Sequence, residues 1–252
     1  MHIEVVDQPD AEHPARPAAT VVLVRDGDAE LEVLMIHRGA DTVFGGMWAF
    51  PGGAIEDHDV PAGTEPDPLP AARAAAARET REEVGLDVDA DSFVWWSHWL
   101  PPARNALSSK RYSTWFFVAP AHAGHADEHV RVDGNEVSVH RWVAPAVALG
   151  MQDRGEIEVA PPTYVTLTQL ARYTDVASVL ANADPRYFAT QVHVEERVRH
   201  CLWAGDVGYD GGDPRADGPR HRLVMDGERG WCYLNTASPD AGRLPPDARS
   251  SD

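Results

Sequence analysis

The chain has a single lysine, Lys110, and only two cysteines, Cys201 and Cys232, in 252 residues. Cysteines so few and so far apart, without metal-ligand spacing, argue against a disulfide framework or a zinc ribbon, and buried reduced thiols are the expected reading. Basic residues are scarce altogether: 22 Lys and Arg stand against 40 Asp and Glu, for a formal charge of -18 at pH 7. A nucleic-acid footprint is basic, so no nucleic-acid partner is expected. A small anionic substrate stays possible wherever a metal neutralises its phosphates locally. No apolar run approaches the roughly 18 residues that cross a bilayer, and "MHIEVVDQPDAEHPARP" at the start lacks the parts of a secretory signal. The expectation is a cytoplasmic protein with no membrane partner. At 43% hydrophobic residues the chain has enough apolar material to bury a sizeable core.

Organisation is read from patterning. Residues 1–18 are polar and proline-bearing and are expected to be a flexible arm. "ATVVLVRD" (19–26) and "LEVLMIHR" (31–38) are β-rich runs around the turn-like "GDAE", which predicts a hairpin. "MWAFPGG" (47–53) reads as a short strand ending in a tight glycine turn, followed by a loop rich in proline and acid. A helix is expected from about Pro70, with a start signal at Asp67-Pro68 and a stop at Gly85, the residue type suited to a left-handed cap. "FVWWSHWL" (93–100), "YSTWFFVAPA" (112–121) and "VSVHRWVAP" (137–145) read as strands. Strands on both sides of a long helix predict an α/β or α+β layered domain. Residues 161–183 read as helical, interrupted near Tyr173-Thr174; residues 206–217 read as loop, and 238–252 as a disordered tail.

The helix carries "AAAARETREEVGL" (74–86). At 100° per residue Glu79, Glu82 and Glu83 share one stripe. Like charges at that spacing each cost a few tenths of a kcal/mol, which the alanine run can offset. A solvated acidic face is the bland account. The chemical one is a hard divalent cation, which takes oxygen ligands and keeps waters for a phosphate-bearing substrate.

"GGAIEDHD" followed by "RETREEVGL" resembles the Nudix box, G-x5-E-x7-R-E-U-x-E-E-x-G-U, where U is apolar. Gly53 takes the first position, and Arg78, Glu79, Glu82, Glu83, Gly85 and Leu86 take the second half. Asp59 replaces the first Glu, Thr80 fills an apolar slot, and an insertion of 11 residues, "VPAGTEPDPLP", splits the box. A split box resembles the Nudix branch that includes the mammalian peroxisomal coenzyme A diphosphatase and related bacterial proteins, as do "HRGADTVFGGMWAFPGG", "KRYSTWFFVAPA" and "PPTYVTLTQL". The arginine-bearing coenzyme A motif of some Nudix proteins is not reproduced: Thr42 occupies one arginine slot and Arg38 lies one position off the other.

The resemblance implies a Nudix-type α/β/α sandwich with a mixed sheet over residues 19–150, and a helical C-terminal extension over 151–237. It implies a metal-dependent hydrolase cleaving the diphosphate of a nucleoside diphosphate derivative, with coenzyme A or acyl-CoA first. ADP-ribose or dinucleotide cleavage, or a non-catalytic ligand-binding module, are the alternatives. A double-bond isomerase of the same fold is disfavoured, since the cysteines lie outside the core strands. Mg2+ or Mn2+ would be held by Glu79, Glu82 and Glu83 with the Gly53 carbonyl and Asp59, and Arg78 would orient the carboxylates by charge-assisted hydrogen bonds. Glu82, Glu83 and Arg78 are thus the catalytic candidates. Glu136 is the candidate general base, ahead of Asp127 and Glu128, each of which also reads as a solvated loop carboxylate. Lys110, Arg111, Arg104 and Arg38 are the candidates for substrate phosphates, with soluble surface as the plain alternative. Trp95, Trp96 and Trp99 read as core by default and as an adenine platform otherwise, while His98, His122, His125, His129 and His140 show no metal spacing. The expected partner is a small-molecule diphosphate, and a homodimer is possible.

Overall fold

The computed structural model describes residues 14–39, 45–61, 68–102, 111–122, 130–132 and 137–243. They fall into two compact units, one of Pro17–Trp96 with Thr114–Asp184, the other of Met1–Arg16, Ser97–Ser113 and Pro185–Asp252.

In the first unit β1 (Arg16–Asp26) and β2 (Leu31–Arg38) form the expected antiparallel hairpin, with Val24 opposite Val33. Its turn is closed by the Gly27 N–H donating to the Glu30 carbonyl at 3.0 Å. Then come β3 (Trp48–Ala49), β4 (Gly52–Ala54), α1 (Pro68–Val84), β5 (Val94–Leu100), β6 (Tyr112–Pro120), β7 (Val137–Val143), α2 (Pro145–Asp153), α3 (Pro161–Leu170) and α4 (Val176–Ala181). The strands run in the order β3-β2-β1-β6-β5, with β4 on β1 and β7 on β2.

Alternation along the strands sorts the core. Ala19, Val21 and Leu23 of β1, Leu34 and Ile36 of β2 and Phe117 of β6 pack with Ala72, Ala75, Ala76 and Val84 of α1. Val22, Val24, Val33 and Met35 are buried as well. By the two-residue period they face the other way, and α2 packs against β2 and α3. Burial on both faces explains why β1 and β2 read as unbroken apolar runs. The α/β/α layering with a mixed sheet thus matches the expectation. The alanines of α1 are small enough to let the helix lie against the sheet. Thr80 fits its apolar slot because it is fully buried with its hydroxyl donating to the Ala76 carbonyl at 2.7 Å. Gly85 ends the helix at φ +70°, its N–H donating to the Arg81 carbonyl at 3.0 Å.

The structure revises the sequence reading in three places. Gly52 and Gly53 do not make a turn; they form β4, pairing with Thr20 and Ala19 of β1. The strand expected over 137–145 ends at Val143, and Pro145–Asp153 form α2, which the sequence reading did not assign. The helical stretch breaks between Leu170 and Val176 as anticipated, but the helices stop at Ala181, so the extension is not helical throughout.

The second unit continues instead with β8 (Arg186–Ala189), β9 (Gln191–Glu195), β10 (Val198–Leu202), β11 (His221–Asp226) and β12 (Gly230–Asn235). Alternation is the physical reason. "QVHVEERVRHCL" alternates at period two around a turn whose Glu196 has φ +55°, and "HRLVMDGERGWCYLN" carries an Asp-Gly turn between β-rich flanks. The last strands are ordered β12-β11-β10-β9, and β8 runs parallel to the Ser97–Leu100 part of β5. Trp99 stacks on Phe188 with ring centroids 4.0 Å apart and meets Trp203 edge-on, so it is a core residue. Trp95 packs against the core of the first unit, and there the Trp96 indole N–H donates to Gln169 Oε1 at 2.9 Å. Cys201 is buried and its thiol pushed up to about 12 by burial. Cys232 is exposed, which corrects the expectation that both thiols are buried.

His98 hydrogen-bonds Ser113 Oγ through Nε2 at 2.7 Å, and burial pushes its pKa from 6.5 down to about 4. Below pH 6.5 the unfolded chain takes up a proton that the folded chain refuses. Stability is therefore full above that value and declines, by at most about 1.4 kcal/mol per pH unit, until the folded pKa is reached. Melting temperature measured against pH checks this: His98→Gln is expected to give a shallower slope between pH 6.5 and 4, and an unchanged slope contradicts the account.

Candidate active site

The site lies where the end of β2, strand β4 and the last turns of α1 meet on one face of the sheet. Arg78 is its centre. Nε and Nη2 donate to the two oxygens of Asp59, each at 3.0 Å, Nη1 donates to Glu79 Oε1 at 2.7 Å and Glu82 Oε2 at 2.9 Å, and Nη2 also donates to the Ala54 carbonyl at 3.0 Å. A lysine has no fork to bridge such a set. Asp59 is delivered by a 3-10 turn, Asp57–Asp59, and its Oδ2 also accepts the Glu56 N–H at 2.9 Å. Burial works to raise the Asp59 pKa, but the hydrogen bonds from Arg78 and from the Glu56 N–H outweigh it and the carboxyl lies below its ordinary value. The Asp59 hydrogen bond in turn holds the Arg78 pKa above the usual guanidinium range.

Glu83 is 3% exposed, and its two oxygens accept the Gly52 N–H at 2.9 Å and Arg38 Nη1 at 3.1 Å. Arg38, at the end of β2, also reaches the Gly52 carbonyl at 3.4 Å. Nothing in the spacing of the sequence pairs Arg38 with Glu83; the pairing arises because β2 and β4 lie under the same helix turn. Glu79 rests against Gly53: a Cβ on Gly53 would fall 2.4 Å from its carboxylate. Glu82 is the open member, with its side chain 54% exposed.

Of the residues singled out in the sequence, Gly53, Asp59, Arg78, Glu79, Glu82, Glu83 and Arg38 are therefore brought together. Arg111 belongs to the second unit, where it is buried and donates through Nη2 to the Pro101 carbonyl at 2.9 Å. Arg104, Lys110, Asp127, Glu128 and Glu136 lie outside the described residues.

The donor set suits Mg2+ or Mn2+: three carboxylates with main-chain carbonyls nearby, and a glycine whose missing side chain lets one carboxylate reach the backbone. Among the described residues no three His, Cys, Asp or Glu side chains converge on a single point. Glu79 and Glu82 are held by Arg78, and Glu83 by Arg38 and Gly52. Ligation requires these side chains to turn from the guanidinium groups toward an ion.

An arginine-centred carboxylate cluster on the last turns of a helix, laid over the glycine strand of an α/β/α sandwich, defines a class. The NUDIX domain model matches residues 14–164, and the chain belongs to the NUDIX family. A stretch of 141 residues is 26% identical to the acyl-coenzyme A diphosphatase NUDT19 of Xenopus laevis, covering 53% of this chain and 36% of that protein. The match thus spans about a third of that relative's length. The structure resembles a NUDIX hydrolase from Alicyclobacillus acidocaldarius at TM-score 0.57 and 23% identity, over 68% of this chain and 98% of that one, a likeness of fold. No helix among the described residues is long and apolar enough to cross a membrane.

Proposed function

We propose that this protein hydrolyses the diphosphate linkage of a nucleoside diphosphate derivative with the help of Mg2+ or Mn2+, and that coenzyme A or an acyl-CoA is its substrate. The observation that carries the reading is the grip of Arg78 on Asp59, Glu79 and Glu82 beside the Glu83–Gly52 contact. It gathers acidic side chains against strand β4, where a lone acidic helix face would have spread them into solvent. The choice of coenzyme A is supported by the activity named for the Xenopus relative and by the split box.

Glu79, Glu82 and Glu83 would hold the ion, with main-chain oxygen from Gly53. Once bound it supplies a water of lowered pKa and counter-charge for the phosphoryl oxygens. The chain's own residues do the positioning. Asp59 engages the Nε–Nη2 edge of the Arg78 guanidinium, leaving Nη1 to aim Glu79 and Glu82. Arg38 gives Glu83 its counter-charge while the Gly52 N–H fixes the second oxygen.

Nucleotide products should be followed by chromatography after incubation with coenzyme A, an acyl-CoA, ADP-ribose and a dinucleoside polyphosphate, each with Mg2+ or Mn2+. Highest kcat/KM on the coenzyme A compounds is the expected result. Preference for ADP-ribose or the dinucleotide moves the substrate assignment, and no turnover of any of them favours a ligand-binding module.

A further inference from the structure

Arg38 holds the most buried carboxylate of the acidic helix turn: the Glu83 side chain is 3% exposed, against 14% for Glu79 and 54% for Glu82. Its position follows from β2, where Leu34 and Ile36 point into the core under α1 and the two-residue period carries Arg38 to the same face. The backbone there is anchored, with the Arg38 N–H donating to the Met47 carbonyl and the Gly46 N–H to the Arg38 carbonyl, each at 3.0 Å. The side chain reaches inward. A single nitrogen, Nη1, lies 3.1 Å from Glu83 Oε1 and 3.4 Å from the Gly52 carbonyl oxygen.

A carboxylate and a main-chain carbonyl converging on one positive centre are the donors that a hard divalent ion takes. The other Glu83 oxygen accepts the Gly52 N–H at 2.9 Å, which fixes the carboxylate in place. At Glu83 the parting from the guanidinium therefore falls to Arg38, whose long side chain pivots on an anchored backbone. Arg78 differs. It is clamped by both Asp59 oxygens and by the Ala54 carbonyl, so Glu79 and Glu82 can leave it without displacing it.

Charge makes the two cations exclusive. The Arg38 side chain is 15% exposed, so water screens little of the repulsion between its guanidinium and a doubly charged ion on the same carboxylate. Glu83 cannot go without either, because a buried carboxylate lacking a counter-charge is strongly destabilising. One positive partner has to replace the other.

We infer that Arg38 is a displaceable counter-ion for Glu83, a positioning residue that keeps this carboxylate buried and oriented, yields Oε1 to a divalent ion and then swings out of the site. The inference rests on the metal-dependent reading proposed above and adds an order of events to it. Arg38 is released by the ion first, and only then presents its charged fork to the phosphoryl oxygens of a diphosphate. Affinity for the ion in the absence of substrate is the quantity that this exchange lowers.

The test uses full-length protein stripped with chelator, with Mn2+ titrated and the unbound ion counted by electron paramagnetic resonance; the site followed is the one that Glu83→Gln weakens. Arg38→Met is expected to bind Mn2+ there about tenfold more tightly than wild type, and Arg38→Lys, which keeps the charge, to stay near wild type. A purely structural role would weaken binding in both variants alike. Arg38→Met should also melt lower than wild type without Mn2+ and gain more on its addition, since the ion then restores the counter-charge of Glu83. Nitrogen-15 spectra of the guanidinium groups add a readout on the wild type itself: the Arg38 signals, assigned by their loss in Arg38→Lys, should shift on saturation with Mg2+. Mn2+ affinity in Arg38→Met equal to or weaker than wild type, or Arg38 signals that do not move, overturns the inference. Neither readout requires turnover, so failure of the exchange and failure of the diphosphatase reading are told apart.

Discussion

Glu82→Gln is expected to lower Mg2+-dependent diphosphate hydrolysis by about a hundredfold or more while leaving the melting temperature unchanged. The two halves of that expectation have different origins. The Glu82 side chain is 54% exposed, and its contact in the protein is with Arg78, which keeps Asp59, Glu79 and the Ala54 carbonyl when Glu82 goes neutral. Folding therefore loses little, whereas an ion loses one of its anionic oxygens. Glu83→Gln is expected to lose both activity and stability. Its carboxylate is buried and bridges Arg38 to the Gly52 N–H, so an amide in its place leaves a largely buried guanidinium without this counter-charge. Steady-state kinetics with thermal melts of both variants check the pair. Wild-type turnover in Glu82→Gln would remove the metal assignment from this turn of helix.

Gly52→Ala is expected to destabilise the protein by about 3 kcal/mol or more, roughly a 10 °C fall in melting temperature for a chain of this size. Gly52 sits at φ +155°, and a Cβ there would fall 2.3 Å from the Ala19 carbonyl and 2.7 Å from Thr20 Cα. Both are backbone atoms of β1, so relief requires β4 to move off its partner. That movement also draws the Gly52 N–H from Glu83, and activity should fall with stability. Gly53→Ala makes the informative contrast. Its Cβ would meet the Glu79 carboxylate, the far end of a flexible side chain that can swing aside. Activity should drop there with a much smaller thermal shift. Melting curves and kcat measured on the two variants distinguish them, and equal stability losses would contradict the geometry.

The helix, its cap at Gly85 and the hairpin before it were legible because each depends on neighbours in the chain: apolar period, a proline start and a glycine stop. The candidate site was legible in part for a similar reason, since Arg78, Glu79, Glu82 and Glu83 lie within two turns of one helix. The pairing of Arg38 with Glu83 was not, because it joins residues 45 apart across a sheet and a helix. The strands after Pro185 escaped notice because short alternating runs carry a weaker local signal than a long amphipathic helix.

By itself the sequence determined the chemistry on offer: a chain poor in bases, with one helix turn that concentrates carboxylate around a single arginine. Spacing along a helix is a local property, and it survives folding unchanged. Tertiary structure alone decided which of those groups are spoken for. Asp59 becomes the anchor of Arg78, Glu83 is buried under Arg38, Glu82 remains open, and both ring nitrogens of His193 in the second unit are buried without a hydrogen-bond partner among the described residues. Those outcomes depend on strand register and on which face a side chain takes, and such long-range pairings are set only when the sheet and its covering segments close.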